Sequence, residues 1–531
     1  MTTPEARTLR SGFLGSAATR PDAVALTVGG RELSYGEIED RARRWATALL
    51  DRLDAPPRRV GVFGHRSETG YVAVLASLFA GATFVPLNRS FPVARTRSMI
   101  ERADLDVLIA DAASAPQLPE LLAGMSPSPL VVLPDAATSP PGLSPSTVTA
   151  EHLDARAPLA DLPEVDVDDI AYLLFTSGST GEPKGVPITH GNVRHFLDTR
   201  AERYRLGPDD RLSQTFDQTF DLSVFDLFMA WDAGARACCL QSLELLTAPR
   251  SIERLGLTVW FSVPSLVPLL QRKGLLVPES LPSLRWSLFC GEPLPSSAAE
   301  AWQAAAPESI VENLYGPTEL TISCTVHRWD ATRSPAACLN GLVPIGTAHE
   351  GLTCLLVDES LRETTDGEPG ELCVAGPQTF PGYWQRSDLD ETRLFEHEVK
   401  GRRLRFYRTG DRVRREASGE LVFLGRADHQ VKVHGHRVEL GEVEHVLREL
   451  PGVVEAVALA WPHEHGSATG IAAWLTGTVT DMGMVQESAR DRLPDYMVPR
   501  VVRHVDELPL NANGKIDRRE LERRLDVEPA S

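Results

Sequence analysis

Lysine is scarce in this 531-residue chain: only five of its 54 basic side chains are lysine, at positions 184, 273, 400, 432 and 515. Acidic side chains number 73, leaving a net charge of −19. So acidic a surface repels nucleic-acid phosphates and anionic lipid, which excludes both as expected partners. No apolar run approaches the roughly 20 residues of a membrane span, and residues 1–13 contain no signal-like apolar stretch, so a cytoplasmic location is expected. The seven cysteines (Cys238, Cys239, Cys290, Cys324, Cys338, Cys354 and Cys373) form no Cys-x-x-Cys pair and no His/Cys cluster at metal spacing. They read as mostly buried, reduced thiols. A Walker sequence, with lysine directly between glycine and Ser/Thr, is also missing, which disfavours an ordinary P-loop NTPase.

What is present is globular, with 42% hydrophobic and 24% charged residues in a chain long enough for several domains. Alternating helical and strand-like segments over residues 20–330, such as helix-like 71–80 before the apolar run 84–87, predict α/β layers. Residues 112–150, rich in Ala, Ser and Pro, read as a loosely structured excursion. Short apolar runs broken by turns, "GELCVAG" and "GELVFLG", predict a β-rich subdomain over about 340–425. A polar turn, a strand and an amphipathic helix then follow one another, and a small terminal domain is expected from Asp428.

The most telling stretch is "LLFTSGSTGEPKGVPITHG" at 173–191, where nine Ser, Thr and Gly residues and one lysine follow an apolar run. Small residues let the backbone approach a ligand, and hydroxyls and free N–H groups point at anions, so the composition reads as a polyphosphate cradle with Lys184 as countercharge. An arginine-rich chain that keeps a lysine at such a place gains a compact point charge where a planar guanidinium would crowd the phosphate. Lys184, Lys432 and Lys515 all sit near glycines, whereas Lys273 and Lys400 read as surface residues.

Together with "LSYGEI" at 33–38, "LYGPTE" at 314–319, "YRTGD" at 407–411, "GRADHQVKVHGHRVELGEVE" at 425–444 and "NGKID" at 513–517, this loop resembles the adenylate-forming enzymes. More narrowly, the chain resembles the amino-acid adenylation domains of nonribosomal peptide synthesis. The resemblance runs through nearly the whole chain and implies a large N-terminal α/β domain with a β-rich subdomain, residues 1–427, and a small mobile α+β lid, residues 428–531. It implies ATP and Mg²⁺ as cofactors. Thr176, Ser177, Gly178, Ser179, Thr180, Gly181 and Lys184 would hold the leaving phosphates, and Glu319 with Thr180 or Thr176 the metal, a hard cation that prefers oxygen. Tyr315 and Phe423 would sandwich the adenine, with Gly291, Glu292, Pro293, Asn313, Gly316 and Thr318 around it. Asp411 would take the ribose hydroxyls, with Arg426 beside it. Lys515 would bridge the substrate carboxylate and the α-phosphate. Asp428 matches the hinge of the lid, and Gly435 a glycine beside a tunnel for a phosphopantetheine arm. With Ser531 soon after the lysine motif, the acceptor is expected to be a separate carrier protein.

"FDLSVFDLF" at 220–228 matches the motif whose aspartate binds a substrate ammonium. Helical spacing would put Asp221 and Phe225 on one face. Carried across residue by residue, the resemblance gives a substrate pocket of Asp221, Leu222, Phe225, Phe261, Leu288, Cys290, Leu314, Ile322 and Ser323, with Lys515 closing the set. No charge faces the side chain, and two phenylalanines fill space. A small neutral amino acid follows: alanine first, then glycine or serine, with proline as the alternative. An acyl- or aryl-CoA synthetase is a further reading, against which Asp221 speaks. "PLNRSFP" at 86–92 departs from the family pattern, in which an aspartate often follows the proline-aliphatic pair.

Overall fold

The computed structural model describes residues 7–143, 146–178, 182–426, 428, 430–464, 467–479, 481–510 and 516–527. Two large sheets share one core. The seven-stranded sheet runs Val148–Thr149, Leu130–Leu133, Val107–Ala110, Arg59–Phe63, Thr83–Leu87, Ile170–Thr176 and Lys184–Thr189. Its strands are parallel except for the last pair, and Arg59–Phe63 and Thr83–Leu87 are buried along their whole length. That accounts for near-continuous apolar runs such as "VGVF" and "TFV", since both faces of a parallel sheet are covered. The nine-stranded sheet carries Ile310–Tyr315, Trp286–Phe289, Val259–Ser262 and Arg211–Gln214 side by side. Helices such as Tyr35–Arg52 and Glu68–Phe79 cover the sheets, the first started by a capping box between Ser34 and Glu37.

A five-stranded antiparallel sheet follows, with Arg402–Arg415 at its centre and "GELCVAG" and "GELVFLG" in the strands Pro369–Ala375 and Leu421–Arg426. After Asp428 comes a hairpin, Gln430–Val433 and His436–Glu439, then the helix Leu440–Arg448 and a three-stranded sheet. Val443, Leu447, Ala458 and Leu475 close a separate apolar core there. Five of the seven cysteines are buried and all seven are free. Among the described residues no helix is long and apolar enough to cross a membrane.

One expectation needs correction. Residues 112–150 are not merely a surface excursion, because Leu130–Leu133 and Val148–Thr149 extend the seven-stranded sheet. Both strands are short and interrupted by Pro/Ser turns, so the local composition hides a pairing that only the neighbouring strand Val107–Ala110 supplies.

Candidate active site

One cavity of about 470 Å³ opens where the large sheets, the antiparallel sheet and the Gln430–Glu439 hairpin meet. Its walls come from the ends of the strands Ile170–Thr176, Trp286–Phe289, Ile310–Tyr315 and Leu421–Arg426, so residues far apart in sequence converge. Thr176, Ser177, Gly291, Glu292, Pro293, Asn313, Tyr315, Gly316, Thr318, Asp411, Phe423, Arg426 and Asp428 all line it. Tyr315 donates its hydroxyl to Asp411, whose other oxygen receives Arg426 at 2.6 Å. Arg426 also holds Asp428 at 2.6 Å. Asn313 is fixed by donating to the Pro344 carbonyl at 2.9 Å.

The strand Ile170–Thr176 delivers the phosphate-type loop, and Thr189 caps the next helix by accepting from the Asn192 N–H at 3.1 Å. Ser179, Thr180 and Gly181 lie outside the described residues. The buried Thr176 hydroxyl has no hydrogen-bond partner among the described residues, although it lines the cavity. An unpaired buried hydroxyl beside open space is what a ligand oxygen would satisfy. Gly178 has no room for a side chain, since a Cβ would meet the Glu182 carbonyl oxygen at 2.2 Å.

Behind this loop Lys184 is 3.5 Å from Glu319, with the Tyr383 hydroxyl donating to the same carboxylate at 2.7 Å. Burial, and then the neighbouring Arg437, lower the Lys184 ammonium to about 8. Burial alone would raise Glu319, but Arg437 and Lys184 hold its carboxyl well below the usual range. Arg437, from the hairpin, reaches the second Glu319 oxygen at 2.8 Å.

The adenosine-sized part of the cavity therefore fits the expected nucleotide: aromatic Tyr315 and Phe423, glycine-rich walls and an acidic group at Asp411 are in place. Of the two residues expected to hold the metal, Thr180 lies outside the described residues, and Glu319 shares its oxygens with Arg437, Tyr383 and Lys184 in this arrangement.

Of the residues expected around the substrate side chain, Asp221, Leu222, Cys290, Leu314 and Ile322 line the cavity. Phe225, Phe261, Leu288 and Ser323 are instead fully buried behind that wall. Asp221 is the cap before the helix Leu222–Asp232, with helical backbone angles of its own, and of the pair only Asp221 reaches the cavity. Its carboxylate accepts from the Ile322 N–H at 3.0 Å, and burial pushes it up to about 6. Phe225 and Phe261 meet edge to face, centroids 5.0 Å apart, in a cluster with Phe216, Phe196 and Tyr204. Such edge-to-face packing leaves little free volume. Ser323 contacts the His349 Nε2 at 2.9 Å, and Arg200 reaches the His349 Nδ1 at 3.0 Å. A guanidinium only donates, so Nδ1 accepts, Nε2 carries the proton and Ser323 accepts from it.

Lys515 lies outside the described residues. The facing wall comes instead from Lys432, Gly435, His436 and Arg437 of the hairpin. Gly435 has φ +81°, and a Cβ there would come within 2.6 Å of Val263 Cγ1, so only glycine allows this approach. Sequence reasoning missed Arg437, and also Arg95 and Glu442, a buried ion pair that ties the two parts of the chain together. Both Arg437 and Glu442 sit inside a motif already quoted, but in so arginine-rich a chain an arginine carries no signal of its own.

Two α/β layers, an antiparallel sheet and a small α+β unit around one nucleotide-sized cleft define an adenylate-forming enzyme fold. The chain matches the family "AMP-binding enzyme" over residues 13–384 and "AMP-binding enzyme C-terminal domain" over residues 442–515, and it belongs to that family, as an adenylation domain of the nonribosomal-peptide type. It is 36% identical over 518 residues to an L-proline–[L-prolyl-carrier protein] ligase of Streptomyces coelicolor, covering 94% of this chain and 93% of that one. It is 34% identical over 523 residues to a probable non-canonical nonribosomal peptide synthetase, CymA, of Salinispora arenicola, covering 98% of this chain but only 6% of that protein's length. Among solved structures, the Vibrio cholerae adenylation domain AlmE in complex with glycyl-adenosine-5'-phosphate superposes with a TM-score of 0.87 at 30% identity, covering 99% of each chain.

Proposed function

We propose that the protein activates a small neutral L-amino acid as its aminoacyl-adenylate, using ATP, and passes the acyl group to the phosphopantetheine thiol of a separate carrier protein. Alanine is the first substrate, with glycine or serine next. The observation that carries this reading is the buried Asp221 carboxylate on the wall of the same cavity as Tyr315, Asp411 and Phe423. An isolated carboxylate in so dry a place needs a cation, and an α-ammonium supplies one. The Phe225–Phe261 cluster behind the wall supports a short side chain.

In the first half-reaction the substrate carboxylate oxygen attacks the α-phosphorus and the bond to pyrophosphate breaks. Asp221 would orient the amino acid through its ammonium, Tyr315 and Phe423 the adenine, and Asp411 the ribose. Thr176 and Lys184 would take the charge of the leaving phosphates, with Lys515 at the reacting oxygens. In the second half-reaction a thiolate attacks the adenylate carbonyl and the bond to AMP breaks. For this, residues 428–531 would turn about Asp428 against residues 1–427 and bring Gly435 beside the thiol's path.

The test is amino-acid-dependent ATP–pyrophosphate exchange with glycine, alanine, serine, proline, valine, leucine and phenylalanine. Alanine should lead, with glycine and serine within about 10–200-fold, since an apolar pocket discriminates only about 1–3 kcal/mol per methylene. A preference for leucine or phenylalanine sinks the small-substrate reading. Activity with proline alone promotes the second reading, which the aliphatic wall of Leu222, Leu314 and Ile322 and the prolyl-ligase relative favour. Loading of coenzyme A in place of a carrier protein would point to a CoA synthetase.

A further inference from the structure

Ile322 stands in the cavity wall with its backbone in the left-handed region, φ +72°, and Thr321 before it has φ +58°. Two β-branched residues in succession rarely adopt that conformation, because Cβ crowds the backbone. The Ser323 N–H donates to the Thr321 carbonyl at 2.9 Å, which closes a γ-turn of the strained hand at Ile322. What the turn delivers is the Ile322 N–H, which donates to the Asp221 carboxylate at 3.0 Å. Such strain persists only where the surroundings over-determine it. Here two buried side chains do so. Gln378, 0% exposed, aims its Nε2 at the carbonyls of Ser323 at 2.7 Å, Leu320 at 3.1 Å and Thr321 at 3.3 Å. The Thr321 hydroxyl donates back to the Gln378 carbonyl at 2.7 Å. Gln378 Oε1 has no partner among the described residues, so this side chain acts on the turn through its donors. His349 Nε2 donates to the Ser323 hydroxyl at 2.9 Å, and Arg200 fixes that tautomer by donating to Nδ1.

We propose that Gln378 and His349 are positioning residues for the substrate ammonium: they hold the strained turn 320–323 so that the Ile322 N–H fixes the Asp221 carboxylate in the pocket wall. This rests on the reading of Asp221 as the ammonium holder given above. Neither side chain lines the cavity, so each acts on the substrate only through the turn. A turn released from its clamp relaxes toward ordinary φ, and the peptide carrying the Ile322 N–H turns away from Asp221. The Cys324 N–H donates to the Tyr315 carbonyl at 2.7 Å, so the turn is also anchored to the adenine wall.

The Asp221 carboxyl reports the clamp. Burial pushes it up to about 6, and the Ile322 N–H is the largest influence holding it down. Losing that hydrogen bond to a charged group should raise its midpoint by about one pH unit or more. The other titratable groups that act on Asp221 or feel it, Glu319, Lys432, Tyr172 and Cys290, stay unchanged in every variant below. Infrared difference titration from pH 5 to 8.5 without substrate, on the protonated-carboxyl band that Asp221→Asn removes, gives the midpoint directly. Amino-acid-dependent ATP–pyrophosphate exchange over the same range gives the acid limb of kcat/KM. In Gln378→Leu both should move upward together, so that activity falls off at a higher pH. The amino-acid KM should rise about tenfold or more, within the roughly hundredfold that a misplaced binding group costs, and the ATP KM should not change. His349→Phe should shift both in the same direction, and His349→Gln, which keeps an N–H for Ser323, should restore part of the loss. Ser77→Ala deletes a buried hydroxyl in the helix Glu68–Phe79 and should lower stability without moving the midpoint. Where Gln378→Leu does not fold, the His349 pair carries the test. A folded Gln378→Leu or His349→Phe variant with the wild-type midpoint overturns the proposal, even if kcat falls, and so does a His349→Gln variant no better than His349→Phe. Absence of amino-acid-dependent exchange in the wild-type protein removes the enzymatic reading, while the infrared midpoint still decides whether the clamp holds Asp221.

Discussion

Asp221 sits 7% exposed at the start of the helix Leu222–Asp232, accepting from the Ile322 N–H, and no cationic side chain among the described residues is bonded to it. Burial moves its carboxyl from the ordinary value of 3.8 to about 6, so holding it charged costs about 3 kcal/mol relative to water. A substrate ammonium offsets that cost and an uncharged carboxyl cannot receive it. The kcat/KM for the amino acid should therefore be flat above pH 6 and fall about tenfold per pH unit below it. The fall is not acid unfolding. Because the folded pKa lies above the unfolded one, the Asp221 contribution to folding becomes more favourable as pH drops through 6 toward 3.8. Asp221→Asn keeps the shape and still accepts from Ile322. It should lower the plateau by about 3–5 kcal/mol, roughly 200- to 4,000-fold, because the ammonium is left unpaired, and it should abolish the acid limb. The assay is amino-acid-dependent ATP–pyrophosphate exchange from pH 5 to 8, with the deaminated acid as a control. An Asn variant with wild-type kcat/KM, or one that keeps the acid limb, refutes the role of Asp221.

Phe225→Ala or Phe261→Ala should move preference from alanine toward valine and leucine in the exchange assay, at a cost of about 3–5 kcal/mol in denaturant-measured stability, since each ring is fully buried. Lys515→Ala should slow adenylation by about 10²–10³ while leaving transfer from supplied aminoacyl-adenylate nearly intact, and equal loss in both would contradict a rotating lid. Gly435→Ala adds about 1–2 kcal/mol of left-handed strain and a contact with Val263, so carrier loading in a single-turnover assay should fall more than exchange.

Much was legible in the chain itself. The apolar run before Thr176, the β-rich segments around "GELCVAG" and "GELVFLG" and the amphipathic helix of the small terminal unit follow from local patterns, because hydrophobic period and turn residues act within a few positions, whereas the pairing of Gln430–Val433 with His436–Glu439 is not read from them. Motif order likewise named Tyr315, Asp411, Phe423 and Glu319, since the family spaces them along the chain in a fixed sequence. What local pattern cannot carry is which distant groups end up sharing one buried charge or one wall. The pairing of Leu130–Leu133 depends on Val107–Ala110. The retreat of Phe225 and Phe261 behind the cavity depends on Phe196, Phe216 and Tyr204 packing against them. The capture of Glu319 by Arg437 joins residues 118 positions apart. In a dry interior a charge is stable only beside its partner, and only the assembled chain decides which partner that is.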